Sequence, residues 1–134
     1  MNKYRGLNYG IIGNCKSSAL INENSSIDWC CLPQFDSSSV FCKILDKDNG
    51  GSLKIECNDD FSISQKYLDK TAIIITTFKN DDSEFDVVDF MPRFKDDNDR
   101  YYSSPEIQRI LIPKKGTPIF KVVYSPKLDY AKGK

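Results

Sequence analysis

Ala72-Ile73-Ile74-Ile75-Thr76-Thr77-Phe78-Lys79-Asn80-Asp81-Asp82-Ser83-Glu84-Phe85-Asp86-Val87-Val88-Asp89-Phe90-Met91 is the stretch that decides the class of this chain. Its first half is a dense β-branched run ending in Phe78, of the kind a strand carries when it is buried on both faces or nearly so. Asn80-Asp81-Asp82-Ser83 has turn composition, and residues 84–91 return with the period-2 alternation of a strand. Two such runs across a short polar turn predict an antiparallel hairpin.

The same period recurs outward in both directions, and no segment sustains a 3.6-residue period for more than two turns. Residues 9–12 and 19–21 are short apolar runs, and 27–32 follows the loop Asn22-Glu23-Asn24-Ser25-Ser26, so two of these strands are expected to pair. Leu53, Ile55 and Cys57 alternate with polar residues after Asp48-Asn49-Gly50-Gly51, and Phe61, Ile63, Gln65 and Tyr67 mark a further strand. Residues 107–112 and 119–124 flank Pro113-Lys114-Lys115-Gly116-Thr117-Pro118 and read as a third hairpin. Residues 95–104 have loop composition with tyrosines at one end. Over 36–45, capping residues precede apolar positions at helical spacing, which predicts one short helical segment near 39–45. The expectation is an all-β fold, an antiparallel β-sandwich with that one helical exception.

The chain has 134 residues, 19 Lys and Arg against 19 Asp and Glu, and no His. This is room for one domain with a single core. Zero net charge gives no electrostatic footprint for nucleic acid. No apolar run approaches the roughly 20 residues that span a bilayer, and Met1-Asn2-Lys3-Tyr4-Arg5-Gly6 lacks an apolar leader, so the expected location is cytoplasmic. Five unevenly spaced cysteines make a poor disulfide framework and read as small buried hydrophobes, with Cys30 and Cys31 on opposite faces of one strand.

Without His, neither a Ser-His-Asp nor a Cys-His arrangement is available. The glycines fit no phosphate-binding motif, no C-x-x-C pair supports zinc, and Asp96-Asp97-Asn98-Asp99 lacks the Gly and distal Glu of a calcium loop. Glycoside hydrolysis needs two carboxyls about 5 to 10 Å apart across a cleft. Glu84 and Asp86 share a strand face, which more often marks the solvated side of a sheet. No catalytic residue, metal ligand or cofactor is assigned. One segment stands out: Ser26-Ile27-Asp28-Trp29-Cys30-Cys31-Leu32-Pro33-Gln34-Phe35-Asp36-Ser37-Ser38-Ser39-Val40-Phe41. It holds the one Trp, and Pro33 ends the strand and throws Gln34, Phe35 and Asp36 into a loop at the sheet edge. Aromatic, amide and carboxylate groups together suit a sugar-binding rim, while a core Trp with a capped turn accounts for the same residues.

In this order, Tyr9-Gly10-Ile11-Ile12-Gly13-Asn14-Cys15-Lys16-Ser17-Ser18-Ala19-Leu20, Ser26-Ile27-Asp28-Trp29, Leu32-Pro33-Gln34-Phe35-Asp36-Ser37, Gly50-Gly51, Val87-Val88-Asp89-Phe90-Met91-Pro92 and Leu128-Asp129-Tyr130 resemble the N-terminal region of family 15 glycoside hydrolases of the glucoamylase, glucodextranase and trehalase-like type. The resemblance implies a β-supersandwich preceding a helical (α/α) barrel that carries both catalytic glutamates, neither of which has a counterpart here. It implies that residues 1–134 are a single, shortened N-terminal β domain without its barrel. The family carries Arg at the places of Lys16 and Gln34, Leu at Cys30 and Pro at Ser38. The implied partners are the helical catalytic domain, α-glucan or trehalose, and a second copy through an uncovered strand edge, with no nucleic acid or membrane. Trp29, Gln34, Phe35 and Asp36 are the substrate-rim or interdomain candidates. The implied function is that of a non-catalytic accessory domain of an enzyme cleaving α-glucosidic bonds; a free-standing carbohydrate-binding module and a structural or assembly domain are the alternatives.

Overall fold

The computed structural model describes residues 8–132, which form twelve strands. The reading of residues 1–6 as leader-free lies outside them. Strand β1 (Tyr9–Gly13) pairs antiparallel with β2 (Ser18–Asn22), and β2 with β3 (Ile27–Cys31). The β2–β3 turn is fastened by Asn22, whose Oδ1 accepts from the amides of Asn24 and Ser26, while Ser25 takes a left-handed φ of 65°. Strand β4 (Ser39–Phe41) adds to β3, as does β5 (Ser52–Glu56), and β12 (Lys121–Ser125) closes the row on β5. A second sheet runs β11-β8-β7-β6, from β6 (Ser62–Tyr67), β7 (Ile74–Lys79), β8 (Glu84–Phe90) and β11 (Gln108–Lys115). Strands β9 (Arg93–Lys95) and β10 (Tyr101–Ser103) form a separate hairpin.

Alternation explains why the two sheets face each other. Gly10, Ile12, Ala19, Ile21, Ile27 and Cys30 point inward from the first sheet, and Ile74, Phe78, Phe85 and Val87 from the second. One cluster joins Ile12, Ala19, Ile21, Ile27, Cys30 and Phe41 to Ile74 and Met91. The other joins Ile55 to Phe78, Phe85 and Val87. Phe85 sits between Phe78 and Phe120, with ring centroids 4.8 Å away on each side. Gly10 has no room for a side chain, because a Cβ would lie 2.5 Å from the Ile74 methyl of the opposite sheet.

The all-β antiparallel class and the 72–91 hairpin are as expected, with Asn80 capping its turn through bonds to the amides of Asp82 and Ser83. Three expectations are corrected. Residues 39–41 are a strand, not part of a helix, because pairing Phe41 with Cys30 and Ser39 with Cys31 buries both side chains inward; the helical spacing survives only as a turn in which Cys42 O accepts from Leu45 N and Asp46 N. Residues 107–112 and 119–124 do not pair with each other. β11 lies on β8 and β12 on β5, so residues 116–120 cross between the layers and carry Phe120 into the core. Residues 95–104 are not simply a loop, since both ends pair as β9 and β10. Of the cysteines, Cys30, Cys31 and Cys42 are buried as expected, whereas Cys15 is exposed.

Candidate functional site

Pro33 follows β3 through a cis peptide bond, and the next four residues close on themselves. Gln34 N donates to Ser37 Oγ at 3.1 Å, and Ser37 N returns a bond to Gln34 O at 3.1 Å. Ser37 is therefore the fastening residue; Asp36, expected to share that task, makes no side-chain hydrogen bond among the described residues. Phe35 N donates to Lys16 O at 2.9 Å, which ties the turn to residues 14–17. The result is a fixed loop with Gln34 and Asp36 exposed and the Phe35 side chain 60% exposed. Trp29 is separate. It pairs with Leu20 on the outer face of the first sheet, is half-buried, and lies 6.3 Å from the Tyr130 ring, inclined by 39°. The structure thus brings Gln34, Phe35 and Asp36 together and leaves Trp29 on the strand beneath another aromatic.

Tyr130 arrives there because the chain leaving β12 folds back over β4. Lys127 N donates to Val40 O at 2.9 Å, Ser38 Oγ to Asp129 Oδ1 at 3.1 Å, and Tyr130 N to Ser39 Oγ at 3.2 Å. Asp129, Tyr130 and Ala131 all take left-handed φ values, 54°, 55° and 61°.

Residues 14–17 join this loop to the β9–β10 hairpin. Buried Asn14 accepts at Oδ1 from Lys16 N and Ser17 N, closing its own turn. Its Nδ2 donates to Ser104 O at 2.8 Å, and its carbonyl accepts from Ser103 Oγ at 2.7 Å. On the other side Ser17 Oγ donates to Cys31 O. The hairpin carries Phe94, Tyr101 and Tyr102, each at least half exposed, which the sequence reading did not single out. The available signal was Asp96, which accepts from Asn98 N and Arg100 N and so turns the acidic run into a hairpin tip.

The carboxylates are taken up by structure. Asp89 is wholly buried and accepts both Nε and Nη2 of Arg109, at 2.6 and 3.0 Å, while the guanidinium also donates to Ser25 O and Leu53 O of the opposite sheet. Burial pushes the Asp89 carboxyl above its ordinary value, and Arg109 offsets part of that rise. Asp28 is buried, accepting from Tyr9 Oη and Ser26 Oγ. Glu84 and Asp86 meet Lys114, and Asp86 accepts from Thr77 Oγ1. Burial pushes the Cys30 thiol up to about 12, so it is no nucleophile at neutral pH.

These features define a two-layer antiparallel β domain that presents a braced aromatic loop and an aromatic hairpin from one turn. The chain belongs to the trehalase-like N-terminal family, whose profile matches residues 7–134. It is 35% identical over 130 residues to a trehalase of Thermoplasma volcanium, covering 94% of this chain and 20% of that protein. To trehalase 1 of Sulfolobus acidocaldarius it is 46% identical over 84 residues, covering 62% of this chain and 14% of the relative. A trehalase of Thermoplasma acidophilum is 36% identical over 115 residues, with 84% and 19% covered. The chain thus spans about a fifth or less of the length of these relatives. No solved structure matches it significantly.

Proposed function

We propose that this chain is the N-terminal accessory domain of a family 15-type glycoside hydrolase acting on α-glucosidic bonds, of glucoamylase or trehalase type, and that it does no chemistry itself. The catalytic glutamates are assigned to a helical domain outside residues 1–134, on which this domain packs through Gln34, Phe35 and Asp36, with Trp29 supporting the segment from behind. The cytoplasm is the proposed compartment, in keeping with five cysteines that form no disulfide. The observation that carries the docking role is the braced turn 34–37, which holds the Phe35 ring largely in solvent. An aromatic anchor buried at an interface is worth about 2 kcal/mol or more on truncation, whereas an exposed loop Phe is worth within about 0.5 kcal/mol.

The test joins the chain to its helical domain. Phe35→Ala should then raise KM or lower kcat while leaving the melting temperature of residues 1–134 alone nearly unchanged. If the substitution melts the domain and spares turnover, the docking role fails. Separately, pure chain should not hydrolyse trehalose, maltose or isomaltose; turnover abolished by one carboxylate substitution would overturn the non-catalytic reading. A second copy pairing at the edges of β11 or β12, which are the outer strands of the two sheets, is a further proposed association and is read from sedimentation of the chain.

A further inference from the structure

The β9–β10 hairpin carries three large rings on six strand residues, and none of the three belongs to either core cluster. Phe94 and Tyr102 are directly paired across the two strands, their centroids 5.2 Å apart and their planes inclined by 55°, each 51% exposed. Tyr101 is 60% exposed, with the Arg93 guanidinium carbon 3.8 Å from its ring centroid. A two-stranded hairpin is marginal by itself, but this one is pinned at its base by Asn14 and at its tip by Asp96, and Lys95 bonds Asp99 at 2.7 Å. A groove lined by Gly13, Ile73, Phe90, Met91 and Pro92 opens beside Phe94.

Rings on both faces of so small a hairpin are poorly served by one flat protein surface, which would cover one face and leave the other wet. They suit a ligand of ring size with an apolar C–H face and a hydroxylated rim. We propose that β9–β10 is a saccharide-binding platform: pyranose faces stack on Phe94 and Tyr102, and hydroxyls at the margin bond the charged side chains of Arg93 and Lys95. Two rings inclined by 55° match successive pyranoses that are themselves inclined, as across an α linkage, better than the flat ribbon of a β-1,4 glucan. The choice of α-glucosides rests on the accessory-domain reading above; the platform itself rests on the hairpin.

The experiment is a titration of the labelled chain with maltoheptaose and trehalose, followed by amide NMR, with cellohexaose as the control. Saturable shifts at 93–95 and 101–103 are expected, weakened about tenfold or more in Tyr102→Leu, which keeps apolar bulk but no stacking face, while core amides stay in place. An unchanged affinity in Tyr102→Leu, an absence of saturable shifts in the hairpin, or equal binding of cellohexaose would each overturn the proposal. Saturable shifts confined to 34–36 would overturn it in favour of the Phe35 loop as the sugar site. Failure of Phe35→Ala to alter turnover would instead sink the docking role and leave the hairpin result standing.

Discussion

Arg109 holds the two layers together with a single side chain. Its guanidinium lies flat against the Asp89 carboxylate within its own sheet and reaches the carbonyls of Ser25 and Leu53 in the other. A buried ion pair adds little over an apolar pair of the same shape, but breaking one strands a charge. Arg109→Met is therefore expected to cost about 3–5 kcal/mol in urea denaturation, and Asp89→Leu with Arg109→Met together less than that single change. This pair was legible in the phase of the alternation. Asp89 falls on the inward parity of Phe85 and Val87, and Arg109 on that of Leu111, so each charge demanded a partner that the sequence alone did not identify. Two other side chains set an alkaline limit. Burial pushes Cys30 from 9.0 to about 12, and burial with the bond to Asp28 pushes Tyr9 from 10.0 to about 12. Both values are raised in the folded state, so the stability these groups contribute is complete below about pH 9 and is lost as pH rises toward about 12. Urea midpoints measured across that range should fall, and the fall should be shallower in Tyr9→Phe and in Cys30→Ala.

At the scale of elements, the β11–β12 connection decides how the layers close. Gly116 starts the crossing with φ +67°, where a Cβ would lie 2.2 Å from Asp82 O in the β7–β8 turn. Gly116→Ala should cost about 1–3 kcal/mol by chemical denaturation, from left-handed strain and the backbone clash together. The proline and glycine punctuation marked that turn correctly, and the strands on either side of it were evident from their alternation. What stayed hidden was that β11 pairs with Glu84–Phe90 and β12 with Ser52–Glu56, since partner choice depends on contacts far apart in sequence. The same holds for 39–45. Its capping residues and apolar spacing fit a helix locally, yet the inward faces of Ser39 and Phe41 are satisfied only by β3. The loop at 34–37 was visible because Pro33 ends a strand, whereas the hairpin at 93–103 was obscured by an acidic run that resembles an unstructured loop.

Across the whole molecule the core is continuous through aromatic stacking rather than through a covalent link. Phe85 is 1% exposed and stacks on Phe78 from its own sheet and on Phe120 from the crossing. Phe85→Ala should cost about 3–5 kcal/mol, and backbone and aromatic circular dichroism should report one coincident transition at a lower temperature, because both layers lose their shared contact together. Separate transitions for the two signals would show that the sheets unfold independently. The strap from Lys127 to Tyr130 over β4 has a mechanical meaning. It grips Ser38, Ser39 and Val40, which begin one residue after the turn that presents Phe35. Tension applied to the chain at Lys132 is carried through these bonds into that turn, so the strap works as a short lever that couples a pull on the tail to the position of the Phe35 ring.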